Sequence, residues 1–232
     1  MLSAGERPQP ARAPTVHSTV SASKARTMPD LAANGANGAQ SSLSKDHMQH
    51  IWVVTGPAGC GKSTVGNVLR TELGIPFIEG DDYHPAANKA KMSQGTPLTD
   101  EDRWDWLISL RQAAIDILSP SDSNNFHPPA GVVVACSALK QKYRDVMRVA
   151  AYGSPSVHIH FVYLKLNEEA LMHRVSQRQS HYMKSTMVQS QLAALEEPED
   201  EWDVITVDAA GSMSEVQRNV IDSVTEKLAE FV

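Results

Sequence analysis

The sequence predicts a three-layer α/β sandwich, in which a sheet of about five parallel strands lies between two layers of helices. Short apolar runs alternate along the chain with longer stretches of helical periodicity. Strands separated by helices pair in parallel through right-handed crossovers, which place helices on both faces of the sheet. A length of 232 residues, 41% of them apolar, is enough for one sizeable core and short for two.

Five short apolar runs have the length of buried strands. They cover residues 51–55, 76–79, 132–135, 157–164 and 203–207.

Helical stretches separate these strands. The first is closed by Gly74, and Thr99 is the expected N-cap of a later helix whose apolar residues recur at helical spacing. The helices within 86–118 and near 180–195 resemble insertions that cover a cleft, and 119–130 is expected to be a surface loop. The other expected helices cover residues 63–73, 138–151, 168–179, 185–195 and 215–231.

The first 48 residues differ from the rest of the chain. They contain no Phe, Trp, Tyr, Ile or Cys and carry five basic against three acidic residues. Such a segment cannot bury enough apolar surface to offset its chain entropy. We therefore expect a disordered tail over 1–48, which is either an untargeted extension or an organelle transit peptide, and a single domain over 49–232.

Composition excludes several classes of protein. A formal net charge of −6 argues against nucleic-acid binding, which depends on clustered Lys and Arg. No run of about 18 apolar residues is present, so no membrane span is expected. Two cysteines cannot form a disulfide framework. These features indicate a soluble, cytoplasmic protein that binds neither nucleic acid nor membrane.

The most informative motif begins at Gly56 and fits the pattern Gly-x-x-x-x-Gly-Lys-Ser between a predicted strand and a predicted helix. Backbone N–H groups and the helix N-terminus surround a phosphate there, Lys62 reaches the outer phosphates, and Ser63 can bind Mg²⁺. The motif predicts ATP and Mg²⁺ as cofactors. The residues expected to bind the nucleotide are Gly56, Pro57, Ala58, Gly59, Cys60, Gly61, Lys62, Ser63 and Thr64.

The rest of the chain narrows the reaction. The segment 208–211 matches the Asp-x-x-Gly of a GTPase switch, but it follows the last strand and no Asn-Lys-x-Asp comes after it. A motor or helicase would be longer and would end a core strand in an acid, whereas the third strand runs into Cys136 and Ser137. Phosphate transfer to a small molecule remains.

Four further segments, with the phosphate loop, resemble the gluconate kinase family of phosphate-loop kinases, which is related to shikimate and nucleoside monophosphate kinases. They are Phe77 to Pro85 with Asn88, Lys91 and Met92; Pro97 to Leu107; Ala135 to Lys140 with Tyr143 to Asp145; and His181 to Lys184 with Met187, Gln191, Leu195, Glu196 and Pro198. The resemblance implies ATP-dependent phosphorylation of D-gluconate at its 6-hydroxyl, giving 6-phospho-D-gluconate and ADP. It also implies a mobile lid at about 178–190 and admits a homodimer.

Several residues are candidates for the acceptor side. Asp81 follows the second strand at the carboxyl edge of the sheet, where it could take or orient the hydroxyl proton. By resemblance to shikimate kinases, Glu79 is expected to help Ser63 with magnesium through water. His84, in the loop that carries Asp81, is expected either to touch a substrate hydroxyl or to pack within the loop.

Basic residues are candidates for the anionic groups. The resemblance makes Arg103 the anchor of the gluconate carboxylate, since a guanidinium can grip a carboxylate through two hydrogen bonds; the alternative is a surface ion pair with Asp100 or Asp102. Lys140 and Arg144 either line the acceptor pocket or lie on a solvated helix face.

Two arginines precede or enter the lid segment. One of them is expected to close on the phosphates and stabilise the transferred charge; Arg178 is the preferred candidate and Arg174 the second. The alternative is a basic face on a surface helix.

Other possibilities stay open at this stage. One is a kinase for another small acceptor, such as shikimate or a nucleotide, although 136–144 lacks the glycine-rich acceptor loop of shikimate kinases. Another is a nonenzymatic ATP-binding regulator. A separate hypothesis gives Cys60 thiolate character, so that oxidation or pairing with Cys136 would block ATP.

Overall fold

Five strands form one parallel sheet in the computed structural model, which describes residues 48–177 and 185–231. The strands are β1 (Gln49–Thr55), β2 (Phe77–Glu79), β3 (Gly131–Ala135), β4 (Val157–Lys165) and β5 (Val204–Asp208). Their order in the sheet is β2-β3-β1-β4-β5, and every neighbouring pair is parallel. The expected tail lies outside the described residues except for Met48.

Seven α-helices connect or follow these strands within the described residues. They are α1 (Lys62–Leu73), α2 (Ala86–Ser93), α3 (Glu101–Leu118), α4 (Gln141–Arg148), α5 (Glu168–Ser176), α6 (Ser185–Ala194) and α7 (Met213–Ala229). The helix predicted from residue 138 begins three residues later, because Ala138 has φ 34° and Lys140 is extended. None of the helices is both long and apolar enough to cross a membrane.

The two faces of the sheet are buried against separate helix layers. Side chains alternate along β1, so Ile51 and Val53 pack on one face while Trp52 and Val54 pack on the other. The face of Ile51 is covered by apolar residues of α3 and α4, and the face of Trp52 by those of α1, α5 and α7. This arrangement confirms the predicted three-layer fold.

Three histidines lie together at the amino ends of β1 and β4. The Nδ1 atom of His50 is 3.0 Å from Nε2 of His160, and the rings of His158 and His160 contact Phe231. Burial, with the neighbouring histidines adding to it, lowers the pKa of His50 to about 4 and that of His160 to about 3. Both rings are therefore neutral near pH 7.

Candidate active site

The phosphate loop leaves β1 at the carboxyl edge of the sheet, where β1 lies between β3 and β4. The chain moves to β2 and β3 on one side of β1 and then to β4 on the other, and this reversal is where open α/β sheets bind ligands. Gly59 has φ +90°, and a Cβ atom there would lie 2.7 Å from a methyl carbon of Val175. A side chain at this position would push the loop off α5.

Lys62 holds the loop from inside. Its Nζ donates to the carbonyl oxygens of Gly56 at 3.0 Å and Pro57 at 3.2 Å. These two carbonyls hold the ammonium group next to the loop. The N–H groups of the same loop are suited to binding phosphate.

One pocket joins the phosphate loop to the predicted acceptor residues. Its lining from the loop and α1 consists of Ala58, Gly59, Gly61, Lys62, Ser63 and Thr64. Its lining from β2, the turn that follows β2 and helix α3 includes Glu79, Asp81, His84 and Arg103. The remaining lining residues are Met92, Pro97, Leu98, Ser137, Ser190 and Gln191, none of which received a role from the sequence.

Asp81 lies in a short 3₁₀ turn directly after β2, and its carboxylate is exposed to the pocket. The turn is anchored because the Trp106 indole N–H donates to the Gly80 carbonyl at 2.7 Å. A Cβ atom on Gly80 would lie 2.3 Å from the Ala135 carbonyl oxygen, so only glycine allows the turn to approach β3 this closely. The backbone therefore places Asp81 at the pocket.

His84 forms the floor beside Asp81. It is 6% exposed, and its ring stacks on Trp106 at 4.1 Å between centroids and 17° between planes. Burial lowers the pKa of His84 to about 4, against the opposing effect of Asp81. The imidazole is thus neutral at pH 7, and its buried Nδ1 has no hydrogen-bond partner within the described residues.

Glu79 and Ser63 meet where β2 ends beside the phosphate loop. Burial raises the pKa of Glu79, while a hydrogen bond from Ser63 opposes the rise and the charge of Asp81 adds to it. A hydroxyl and a carboxylate oxygen are the hard donors that Mg²⁺ prefers, and nucleotide phosphates and water commonly complete its shell. These two residues fit a magnesium ion bound with ATP.

Arg103, in the first turn of α3, faces the pocket without an acidic partner among the described residues. Its guanidinium lies 5.5 Å from the centre of the Tyr143 ring, and Nη2 makes a long contact of 3.4 Å with the Leu98 carbonyl. The acids considered as surface partners are engaged elsewhere. Asp100 accepts from Lys140, Lys142 and Tyr143, and Asp102 accepts from Lys91 and Thr99.

Lys140 lies beside the pocket but does not line it. Its Nζ donates to Asp100 Oδ1 at 2.9 Å, an interaction between residues 40 positions apart. Hydrogen bonds from Lys140, Lys142 and Tyr143 hold the pKa of Asp100 well below its usual range. The structure thus corrects the expectation that Lys140 lines the pocket: it helps to tie α3 to α4.

Arg144 also requires a correction, because it is 1% exposed and is not among the residues that line the pocket. Its Nε lies 2.9 Å from Glu201 Oε2, and its Nη1 donates to the carbonyls of Ala138 at 3.0 Å and Leu139 at 3.2 Å. Arg148 shares Glu201 through a second ion pair. The acids of this network come from the segment before β5, so Arg144 joins that segment to α4 instead of binding substrate.

Arg174 connects three segments near the nucleotide side. Its guanidinium donates to the carbonyls of Ala209 at 2.7 Å, Gly211 at 3.3 Å and Cys60 at 3.4 Å. It is absent from the pocket lining that contains Lys62. Arg178 lies outside the described residues, as does 178–184 of the expected lid, so its role stays a prediction.

The cysteines are buried free thiols: Cys136 directly follows β3, and Cys60 lies in the phosphate loop that follows the neighbouring strand β1. Burial raises the pKa of Cys136 to about 12 and also raises that of Cys60, although Lys62 opposes the rise. The hypothesis of thiolate character at Cys60 is therefore wrong for this conformation.

Gln191 was quoted above only as part of a family-like segment, and the structure brings it to the phosphate loop. The Ala58 N–H donates to Gln191 Oε1 at 2.7 Å, across 133 positions of sequence. No local signal in the sequence marks such a contact, because it depends on where α6 packs.

Comparison with known proteins identifies close relatives. A family profile described as an AAA domain matches residues 51–198. The chain is 42% identical over 183 residues to a probable gluconokinase of Schizosaccharomyces pombe, covering 78% of this chain and 91% of that protein. It is 38% identical over 158 residues to the thermosensitive gluconokinase of Escherichia coli, covering 68% of this chain and 78% of that protein.

A solved structure agrees with these sequence matches. The fold is similar to the crystal structure of a gluconokinase from Sinorhizobium meliloti 1021, with a TM-score of 0.67 and 39% identity over 79% of this chain and 95% of that one. Sequence and fold similarity therefore lead to the same group of kinases.

Proposed function

The chain belongs to the gluconokinase family, and from this premise we propose that its pocket transfers the terminal phosphate of ATP to the 6-hydroxyl of D-gluconate. The products are 6-phospho-D-gluconate and ADP. One observation carries the assignment of the site: Lys62, Asp81 and Arg103 line the same pocket. It provides a cation for phosphate, a carboxylate for a hydroxyl and a guanidinium for the carboxylate of a sugar acid.

Lys62 and the loop N–H groups act on the donor. When triphosphate enters, its oxygens compete with the Gly56 and Pro57 carbonyls for the Lys62 ammonium. The ammonium then neutralises charge on the outer phosphates, which is the main catalytic requirement of phosphoryl transfer.

Asp81 acts on the acceptor hydroxyl. Its carboxylate accepts a hydrogen bond from the 6-hydroxyl, which turns a lone pair of the hydroxyl oxygen toward the terminal phosphorus. As the new P–O bond forms, the carboxylate takes the hydroxyl proton, and the bond from the phosphorus to the bridging oxygen breaks and releases ADP. The Gly80 turn, fixed by Trp106 and β3, keeps this carboxylate in place.

Arg103 and His84 hold the rest of gluconate. Arg103 is free to pair with the carboxylate through two parallel hydrogen bonds. The neutral imidazole of His84 suits a hydroxyl group better than a charged one, because it can either donate or accept a hydrogen bond.

Ser63 and Glu79 would hold Mg²⁺ on the donor side. When bound, the ion supplies charge neutralisation for the phosphate oxygens. Glu79 would be a ligand of this ion, which leaves the Asp81 carboxylate available for the hydroxyl.

The test is ADP release with magnesium and ATP, offering D-gluconate, shikimate, AMP or no acceptor in parallel. Turnover is expected only with D-gluconate, and Asp81→Asn should lower kcat by about 10²- to 10⁴-fold. Asp82→Asn is the matched control, since Asp82 is exposed on the same turn and does not line the pocket.

Two results would contradict this function. Turnover with another acceptor but not with D-gluconate would support a kinase and rule out D-gluconate as its substrate. Tight ATP binding without any turnover would favour the regulator.

We also propose that the protein works in the cytoplasm, in keeping with its buried free thiols.

A homodimer is proposed on the family resemblance alone, and light scattering of the purified chain tests it.

A further inference from the structure

Helix α6 contributes a side chain to the pocket through Gln191. The helix is anchored one turn earlier by Val188, which is fully buried in the core formed with α1 and α5, and Leu192 packs against the same core. Gln191 therefore extends from a packed helix, and the burial of Val188 and Leu192 fixes its position relative to the phosphate loop.

The contact with Ala58 determines which way the carboxamide is turned. An N–H donor can be accepted only by the carboxamide oxygen, so the Ala58 N–H fixes Oε1 toward the loop at 2.7 Å. The other terminus, Nε2, carries two N–H donors, and no acceptor for them occurs among the residues that the structure describes. These donors are the part of the side chain left to face a ligand in the pocket.

The position of Ala58 indicates which ligand group these donors would meet. Ala58 is part of the phosphate loop and lines the pocket with Lys62, so the carboxamide lies on the phosphate-loop side of the pocket, where Lys62 is expected to meet the outer phosphates. Arg103, Asp81 and His84 come from the acceptor side. A neutral donor held in advance beside the loop suits a group on which negative charge is redistributed during transfer.

We propose that Gln191 is a further catalytic residue, whose Nε2 donates a hydrogen bond to an oxygen of the phosphoryl group in transfer while the Ala58 N–H holds Oε1. This rests on the proposed kinase function. The carboxamide exchanges no proton and forms no covalent bond; it stabilises charge beside Lys62.

The test compares Gln191→Leu, Gln191→Glu and the control Gln189→Leu, which removes an exposed amide two residues earlier on α6. The readouts are kcat, the KM values for ATP and D-gluconate, the Kd for ADP by calorimetry, and Tm. We expect Gln191→Leu to lower kcat by about 10- to 100-fold, with the Kd for ADP changed less than about threefold, because ADP lacks the transferred group.

The two other variants sharpen the comparison. Gln191→Glu keeps an oxygen for the Ala58 N–H but loses the donors and adds negative charge, so its kcat should fall at least as far as that of Gln191→Leu. Gln189→Leu should leave kcat within about twofold of the unmodified chain.

Two results would overturn the inference. Unchanged kcat with tighter binding of ADP and ATP would show that Gln191 only competes with nucleotide for the loop. Unchanged kcat with a lowered Tm would show that it only fastens α6.

The unmodified chain separates the two proposals. If it phosphorylates a different acceptor, gluconate is wrong and the same kcat comparison is made with that acceptor. If it turns over none, both the proposed function and the inference fail.

Discussion

Replacing Arg103 by Met should remove the recognition of the substrate carboxylate while leaving the fold intact. Met keeps much of the stem that packs near Tyr143 but has no guanidinium. Because Arg103 has no acidic partner within the described residues, the substitution leaves no unpaired acid behind. We therefore expect little change in Tm.

The magnitude follows from the hydrogen bonds lost. A hydrogen bond to a charged group contributes about 1.5–3 kcal/mol, so a bidentate pair contributes about 3–5 kcal/mol when part of the gain is lost to desolvation. Since about 1.4 kcal/mol corresponds to a factor of ten, kcat/KM for D-gluconate should fall by about 10²- to 4 × 10³-fold. The kcat/KM of Arg103→Lys should lie between those of Arg103→Met and the unmodified chain, because lysine keeps the charge but lacks the planar guanidinium.

The assay measures ADP release with D-gluconate and with D-gluconamide, in which a neutral amide replaces the carboxylate. The unmodified enzyme should prefer D-gluconate, and Arg103→Met should lose that preference. Arg70→Met, which removes an exposed guanidinium from α1, is the control for charge alone. A preference that survives in Arg103→Met would refute the reasoning and place the carboxylate elsewhere.

Three further predictions concern stability. Arg144→Met should lower the free energy of unfolding by about 3–5 kcal/mol in urea titrations, because it removes a buried guanidinium that donates to two backbone carbonyls and leaves Glu201 with Arg148 alone. A midpoint unchanged from that of the unmodified chain would show that this network does not stabilise the fold. Gly80→Ala should lower Tm, since its Cβ would collide with a backbone carbonyl, at a cost of about 1–3 kcal/mol; an equal Tm would mean that the turn can shift freely. Stability should also fall by about 5 kcal/mol between pH 6.5 and pH 4 from His50 and His160 alone, because unfolding frees both to bind protons that the folded chain excludes. Urea midpoints across this range test it, and His160→Leu should flatten the slope; an unaltered slope would assign the loss to carboxylates.

The phosphate loop and the acceptor turn were predictable because their chemistry is local. Glycines, Lys62 and Ser63 occur at fixed spacing between a strand and a helix, and Asp81 follows the next strand directly. Parallel strands bring their carboxyl ends to one edge, so these residues had to lie close together once the strand order placed β2 and β1 on either side of β3.

The basic residues were harder to assign because their partners are distant in sequence. Lys140 and Arg144 are one helical turn apart and look alike in the sequence, yet one pairs with Asp100 and the other is buried against Glu201, 57 positions away. Whether Arg103 pairs with a neighbouring acid also depended on distant residues, since Lys142 and Tyr143 occupy Asp100.

The sequence by itself determined the layered parallel fold, the phosphate loop and the position of Asp81 at the carboxyl edge of the sheet. These follow from periodicity and from spacing within short segments, where the backbone leaves few alternatives. The family followed from the resemblance of several segments to known kinases. Only the tertiary structure decided which cations face the pocket, that the cysteine thiols are protonated, and that Gln191 reaches Ala58. Those properties depend on burial and on which distant side chains satisfy one another, and neither is set until the helices pack on the sheet.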